Sequence, residues 1–149
     1  PPEIKEILIK IRDDLKKEGY NNTWLVEDYP TYNDLGIREK SIFCLKFSDI
    51  NFLIITFKGE KGGVTSELEY IINNAKELSF QSVVFYEIKC ENDQEISSLS
   101  PVQEDGLISA KIRMVKFKKD NYEELFQLIR GEAWKLHYHY VIHEKRLYL

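Results

Sequence analysis

Apolar positions along this chain change their period several times, and each change marks an element. Ile4, Ile7, Leu8, Ile11 and Leu15 recur at helical spacing, while Lys5, Lys10, Arg12, Asp13, Asp14 and Lys16 fill the other positions. That stripe predicts an amphipathic helix over residues 3–18, ended by Gly19 in left-handed backbone. Trp24, Leu25 and Val26 predict a short strand over 22–27, stopped at Asp28-Tyr29-Pro30 because proline cannot extend a central ladder. Asp34 is placed to cap a second helix over 35–47, with Ile37, Ser41, Cys44, Leu45 and Ser48 along one side. Apolar residues then run almost unbroken over 52–57, as in a strand covered on both faces. A helix with Leu68, Ile71, Ile72, Ala75 and Leu78 on its inner side leads to another such strand over 82–88.

Residues 91–110 are polar and irregular, and predict a mobile segment around one short helix opening at Ser100-Pro101. Ile112, Met114, Val115 and Phe117 among Lys and Arg predict an edge strand over 111–117. Asp120 opens a long last helix with Tyr122, Leu125, Phe126, Ile129 and Trp134 as its stripe and Gly131 placed to bend it. The resulting order, α-β-α-β-α-β-α-β-α, predicts one α/β domain over 1–149. Its sheet is expected to be open and mostly parallel, with about four to five strands and helices on both faces. Doubly wound sheets open with a strand, whereas this chain opens with a helix. The pattern therefore expects either a strand upstream of Pro1 or a sheet one strand shorter than its relatives.

The stretch 51–77 carries the candidate chemistry. It reads as a strand, a loop with Gly59, Gly62 and Gly63, and a helix capped by Ser66 with Glu69 as capping-box partner. Glu67 then falls in the first helical turn at the carboxyl end of a strand, where open α/β sheets bind ligands. The loop's backbone N–H groups suit a phosphate or ribose. An acid in a first turn is equally favoured by the helix dipole alone.

Composition narrows the classes. A net charge of -4 argues against a nucleic-acid partner, and no apolar run is long enough for a bilayer. The two cysteines, Cys44 and Cys90, lack metal-ligand spacing and fit buried free thiols in a reducing, cytoplasmic setting. Val64 follows Gly63, so the glycine loop lacks the Lys-Ser/Thr of a P-loop. Glu87-Ile88-Lys89 matches the Glu-x-Lys half of PD-(D/E)xK nucleases, with no second acid at a suitable strand position. His137, His139 and His143 lack a third ligand at matching spacing, so no metal and no cofactor is expected. Trp134, Leu136, Tyr138, Tyr140, Val141, Ile142, Leu147, Tyr148 and Leu149 are too many apolar residues for one stripe. They predict a homodimer through this terminal segment, as a helix or as an added edge strand.

Residues 20–87 resemble the TIR-like and nucleoside-deoxyribosyltransferase-like Rossmannoid group. The resemblance rests on Val26-Glu27-Asp28, Ser41, Ser48-Asp49, the apolar run 52–57, Gly62-Gly63 and Glu67-Leu68. It implies a flavodoxin/TIR-like sheet and a nucleotide or nucleoside ligand. It assigns Glu67 as the carboxylate that breaks an N-glycosidic bond in NAD or a nucleoside. Asp28, Ser48, Asp49, Gly59, Gly62, Gly63 and Ser66 are the ligand-binding positions it points to. Val64-Thr65-Ser66 stands where TIR domains often carry tryptophan and cysteine, and the group's usual first strand, with its own ligand-binding loop, has no counterpart in this sequence. A non-catalytic sensor or interaction module of the same fold is the alternative.

Overall fold

The computed structural model describes the backbone of residues 2–29, 36–59 and 61–147, and the side chains of 3–29, 36, 38–59, 65–139 and 142. Helix α1 (Pro2–Lys17) ends as its pattern requires. Gly19 takes φ +100°, the Tyr20 N–H reaches the Leu15 carbonyl at 3.0 Å, and the helix closes. The strand expected over 22–27 does not form. Leu25 is extended but unpaired, and Val26–Asp28 makes a single 3-10 turn. The segment packs through its rings instead: Trp24 and Tyr29 meet edge-on at 6.0 Å, and Tyr29 tilts against Phe43 at 6.1 Å.

Helix α2 (Ile37–Phe47) has Gly36 at its N-cap; the cap expected from Asp34 lies outside the described residues. Strand β1 (Asn51–Ile55) stops short of Phe57 because the chain turns over Thr56 to Gly59, closed by a 3.4 Å backbone bond. Helix α3 (Lys61–Asn73) begins at once, followed by the short α4 (Ala75–Leu78). Gly62 and Gly63 are therefore in the first turn of α3 and not in a loop. Ser66 caps nothing. In a first turn the N–H groups lack partners anyway, so glycine there forfeits less than in a helix interior.

Strand β2 (Ser82–Glu91) is followed by β3 (Gln94–Ser97). Asn92 and Asp93 both have positive φ, 51° and 60°, which makes a type I′ hairpin turn. This hairpin lies in the segment expected to be irregular. Its sequence, Glu91-Asn92-Asp93-Gln94, is polar throughout, so no hydrophobic alternation announces it. Helix α5 (Pro101–Ser109) opens with the Ser100–Gln103 capping box, as the Ser-Pro start indicates. Strand β4 (Arg113–Lys118) and helix α6 (Tyr122–Leu147) complete the chain. The helix is continuous through Gly131, which excludes the strand reading of its second half.

The sheet has four strands and is mixed. β1 and β4 both run parallel to β2 on opposite edges of it, and β3 pairs antiparallel with its last residues. Because Ile88 pairs with Lys118 on one edge and Ser97 on the other, β3 must share β1's side. One face, with Leu53, Ile55 and Val84, is packed by α2, α3, α4 and α5 through Leu45, Leu68, Leu78 and Leu107. The other, with Val83, Phe85 and Phe117, is packed by α1 and α6 through Ile11, Leu125 and Ile129. The strand order β1-β2-β4 follows the chain without reversal, and both crossover helices lie on one face. The sheet thus lacks the reversal point at which doubly wound folds open a crevice.

Candidate functional site

Glu67 lies in the second turn of α3, about 9 Å along the axis from Lys61 at the usual rise. Leu68 and Ile71 of the same helix point into the core, which turns Glu67 to the flank beside α2. There it meets Ser41, itself buried, in a side-chain hydrogen bond. Burial raises the Glu67 carboxyl above the ordinary range, and the Ser41 hydroxyl opposes that by donating to it. Cys44, one turn from Ser41, is a buried free thiol pushed up by burial, with Lys40 lowering it and Glu67 raising it. Lys40 donates to the Glu27 carbonyl at 2.7 Å and so ties the 3-10 turn to α2. The result is a half-buried acid in a polar seam, backed by a hydroxyl, a thiol and an amine.

The other expected positions divide. Gly59 and the first turn of α3, with Gly62 and Gly63, lie at the carboxyl end of β1; these two helical glycines precede Glu67 by little more than one turn of the same helix. Ser48 and Asp49 precede β1 and lie at its amino end; the Ser48 carbonyl accepts from the Gln81 side chain at 2.7 Å. A ligand at the glycines cannot reach them across the strand. Asp28 is ion-paired with Arg12 of α1 at 3.0 Å, and Glu27 with Lys5 at 3.2 Å. Ser66 is half-buried within α3.

Sequence reasoning missed Thr56 and the bonds that Glu87 makes. The Thr56 hydroxyl is buried and has no partner, which costs about 1–3 kcal/mol for such a group. Thr56 lies just past the end of β1, in the turn that Gly59 closes, and a Cβ on Gly59 would stand 3.2 Å from its hydroxyl oxygen. Glu87 is 2% exposed, and both its oxygens are engaged: Oε1 accepts from the Phe57 N–H at 2.9 Å and Oε2 from the Asp120 N–H at 3.1 Å. Lys89 pairs with Glu91 and lies over the Phe57 ring. The Glu-x-Lys pair is thus committed to holding turns. Among the described residues no three His, Cys, Asp or Glu converge as a metal site would need. His137 packs edge-on against Tyr20 at 5.6 Å. Cys90, expected to be buried, is exposed at the hairpin end of β2. Among the described residues no helix is long and apolar enough to cross a membrane.

Set against family models, curated proteins and solved structures, the chain finds no match.

Proposed function

We propose that this chain is a small-ligand-binding α/β domain whose ligand is a nucleotide or nucleoside, with Glu67 the acid that meets the sugar. The observation that carries this reading is the Ser41–Glu67 pair: a carboxyl raised by burial and steadied by a hydroxyl from the neighbouring helix. Perturbed acids of this kind concentrate at functional sites. Where the ligand carries an N-glycosidic bond, cleavage builds positive charge on the sugar carbon. A carboxylate there stabilises that charge or attacks it while the base departs and water completes the hydrolysis. The three-layer order is read as a shortened flavodoxin/TIR-like sheet, with β3 an antiparallel addition. The buried free thiol of Cys44 agrees with a reducing, cytoplasmic setting.

A second reading has its own support. Glu67 is set back from the carboxyl edge of the sheet and already bonded to Ser41, which suits a sensor or interaction module that binds without turnover. The exposed Trp134–Tyr138 stack on α6 favours self-association of either kind. The deciding experiment incubates the protein with NAD and with purine and pyrimidine nucleosides, measuring binding by calorimetry and product by chromatography. Turnover lost in Glu67→Gln with binding retained supports the glycosidase. Binding without product supports the sensor. Neither binding nor product overturns the nucleotide reading.

A further inference from the structure

Thr56 follows β1 directly and is 7% exposed, yet its hydroxyl has no hydrogen-bond partner. Ser98, whose backbone N–H is bonded to the Glu87 carbonyl, directs its own hydroxyl to the Ile55 carbonyl at 3.3 Å and does not serve Thr56. The Thr56 hydroxyl faces the turn that opens α3. Gly59, two residues before Lys61, comes so close that a Cβ there would stand 3.2 Å from Oγ1. The bond that closes this turn, Gly59 N–H to the Thr56 carbonyl, is long at 3.4 Å, so a small shift of the turn uncovers the hydroxyl.

Helix α3 supplies the complementary half. It runs for 13 residues from Lys61, and the N–H groups of its first turn have no partner within the helix. They carry the positive end of the helix dipole. Gly62 and Gly63 put no side chain in front of them, so an anion can meet the backbone directly. Glu87, the acid bonded to the Phe57 N–H of the same turn, has its second oxygen on the Asp120 N–H, so both are already engaged. We propose that Thr56 and the first turn of α3 form a phosphate subsite, and that the ligand of this chain is therefore a nucleotide and not a free nucleoside.

This rests on the reading that Glu67 meets the ligand's sugar, and the geometry of the helix joins the two places. Gly63 is four residues before Glu67 and so lies on the same face of α3, about 6 Å along the axis. Side chains lean toward the N-terminus of their helix, which carries the Glu67 carboxyl toward Gly63. Glycine at that position leaves the face between them bare. A ribose 5′-phosphate bridges such a gap, with its phosphate at the helix start and its anomeric carbon beside the carboxyl.

The test uses the full chain with inorganic phosphate, with AMP and UMP, and with adenosine and uridine, in calorimetry and in NMR of the Gly62 and Gly63 amides. Phosphate and the favoured nucleotide should shift both amides, and that nucleotide should bind more tightly than its nucleoside. Thr56→Val removes only the hydroxyl. It should weaken the nucleotide by about tenfold, the effect of one hydrogen bond to a charged group, and leave the nucleoside unchanged. The thermal midpoint of the variant alone should not fall, since no bond is lost. The subsite is overturned if nucleotide and nucleoside bind alike, if neither phosphate nor nucleotide moves the two amides, or if Thr56→Val leaves nucleotide binding as in wild type. Equal binding of nucleotide and nucleoside leaves the Glu67 reading standing without the subsite. Phosphate bound through Thr56 with no nucleotide or nucleoside bound keeps the anion site, as one for free phosphate, and overturns the nucleotide and the role of Glu67 at a sugar.

Discussion

Ser41 on α2 donates its hydroxyl to the carboxyl of Glu67 on α3, across a seam in which burial holds that carboxyl above its ordinary range. The direction of the shift fixes a pH dependence. Below the ordinary glutamate range both the folded and the unfolded chain carry the proton, and the group's contribution to stability is fully present. As the pH rises, the unfolded chain gives up its proton first, and stability is lost until the folded chain has ionised too. Urea unfolding at a series of pH values should therefore show a fall in stability as the pH rises past the ordinary glutamate range, and the fall should be flatter in Glu67→Gln. Ser41→Ala should prolong the fall to higher pH. A Gln variant less stable than wild type at neutral pH would contradict this account.

Arg113 of β4 and Glu132 of α6 form a forked pair. Nε lies 3.0 and 3.1 Å from the two carboxylate oxygens, and Nη2 lies 2.8 Å from Oε1. The Glu132 side chain is 7% exposed and Arg113 56% exposed, so the acid depends on its partner more than the base does. Arg113→Met should destabilise by about 2 kcal/mol, less than for fully buried pairs because the guanidinium keeps part of its water. Lys135, 3.8 Å from the same carboxylate, softens the loss. Adding Glu132→Leu to Arg113→Met should recover most of it in chemical denaturation, and a further loss of stability in the double variant would refute the argument.

Two helix ends of the same kind carry different residues. α1 closes through Gly19 at φ +100°, while α5 closes through Lys111 at φ +58°, with the Ile112 N–H on the Leu107 carbonyl at 3.1 Å. Left-handed backbone disfavours a residue with a Cβ by about 1–2 kcal/mol. Lys111→Gly is expected to stabilise by about 0.5–1 kcal/mol despite the greater freedom of the unfolded chain, and Gly19→Ala to destabilise by about 1 kcal/mol. Thermal unfolding of both variants would check the opposite signs.

Trp134 and Tyr138 stack on the outer side of α6 with centroids 5.2 Å apart and planes 7° apart, and both are more than half exposed. We propose that a second copy of this chain covers them. Sedimentation should then give a dimer that Trp134→Glu with Tyr138→Glu converts to a monomer; a wild-type monomer at high concentration would dispose of the idea.

Local patterns were enough to specify much of this protein. The stripes of α1 and α6, the unbroken apolar runs of β1 and β2, the alternation of β4 and the Ser-Pro start of α5 are each written within a few residues. The burial that enforces them acts on those same residues. The class followed, α/β with helices on both faces of a sheet, because helix and strand patterns alternate along the chain. The tertiary structure decided what depends on partners distant in sequence. Trp24, Leu25 and Val26 look like a strand until the ring contacts with Tyr29 and Phe43 take precedence. Asn92-Asp93 makes a hairpin only because β2 offers an edge beyond the end of β1. Glu67 looked like a first-turn acid, and its place in the seam follows from where α3 begins and from Ser41, 26 residues earlier in the chain. Glu87 read as half of a nuclease motif, yet its two bonds run to turns that precede and follow it by about thirty residues. A carboxylate's role is set by which donors reach it, and that is a property of the packed chain, not of the residues beside it.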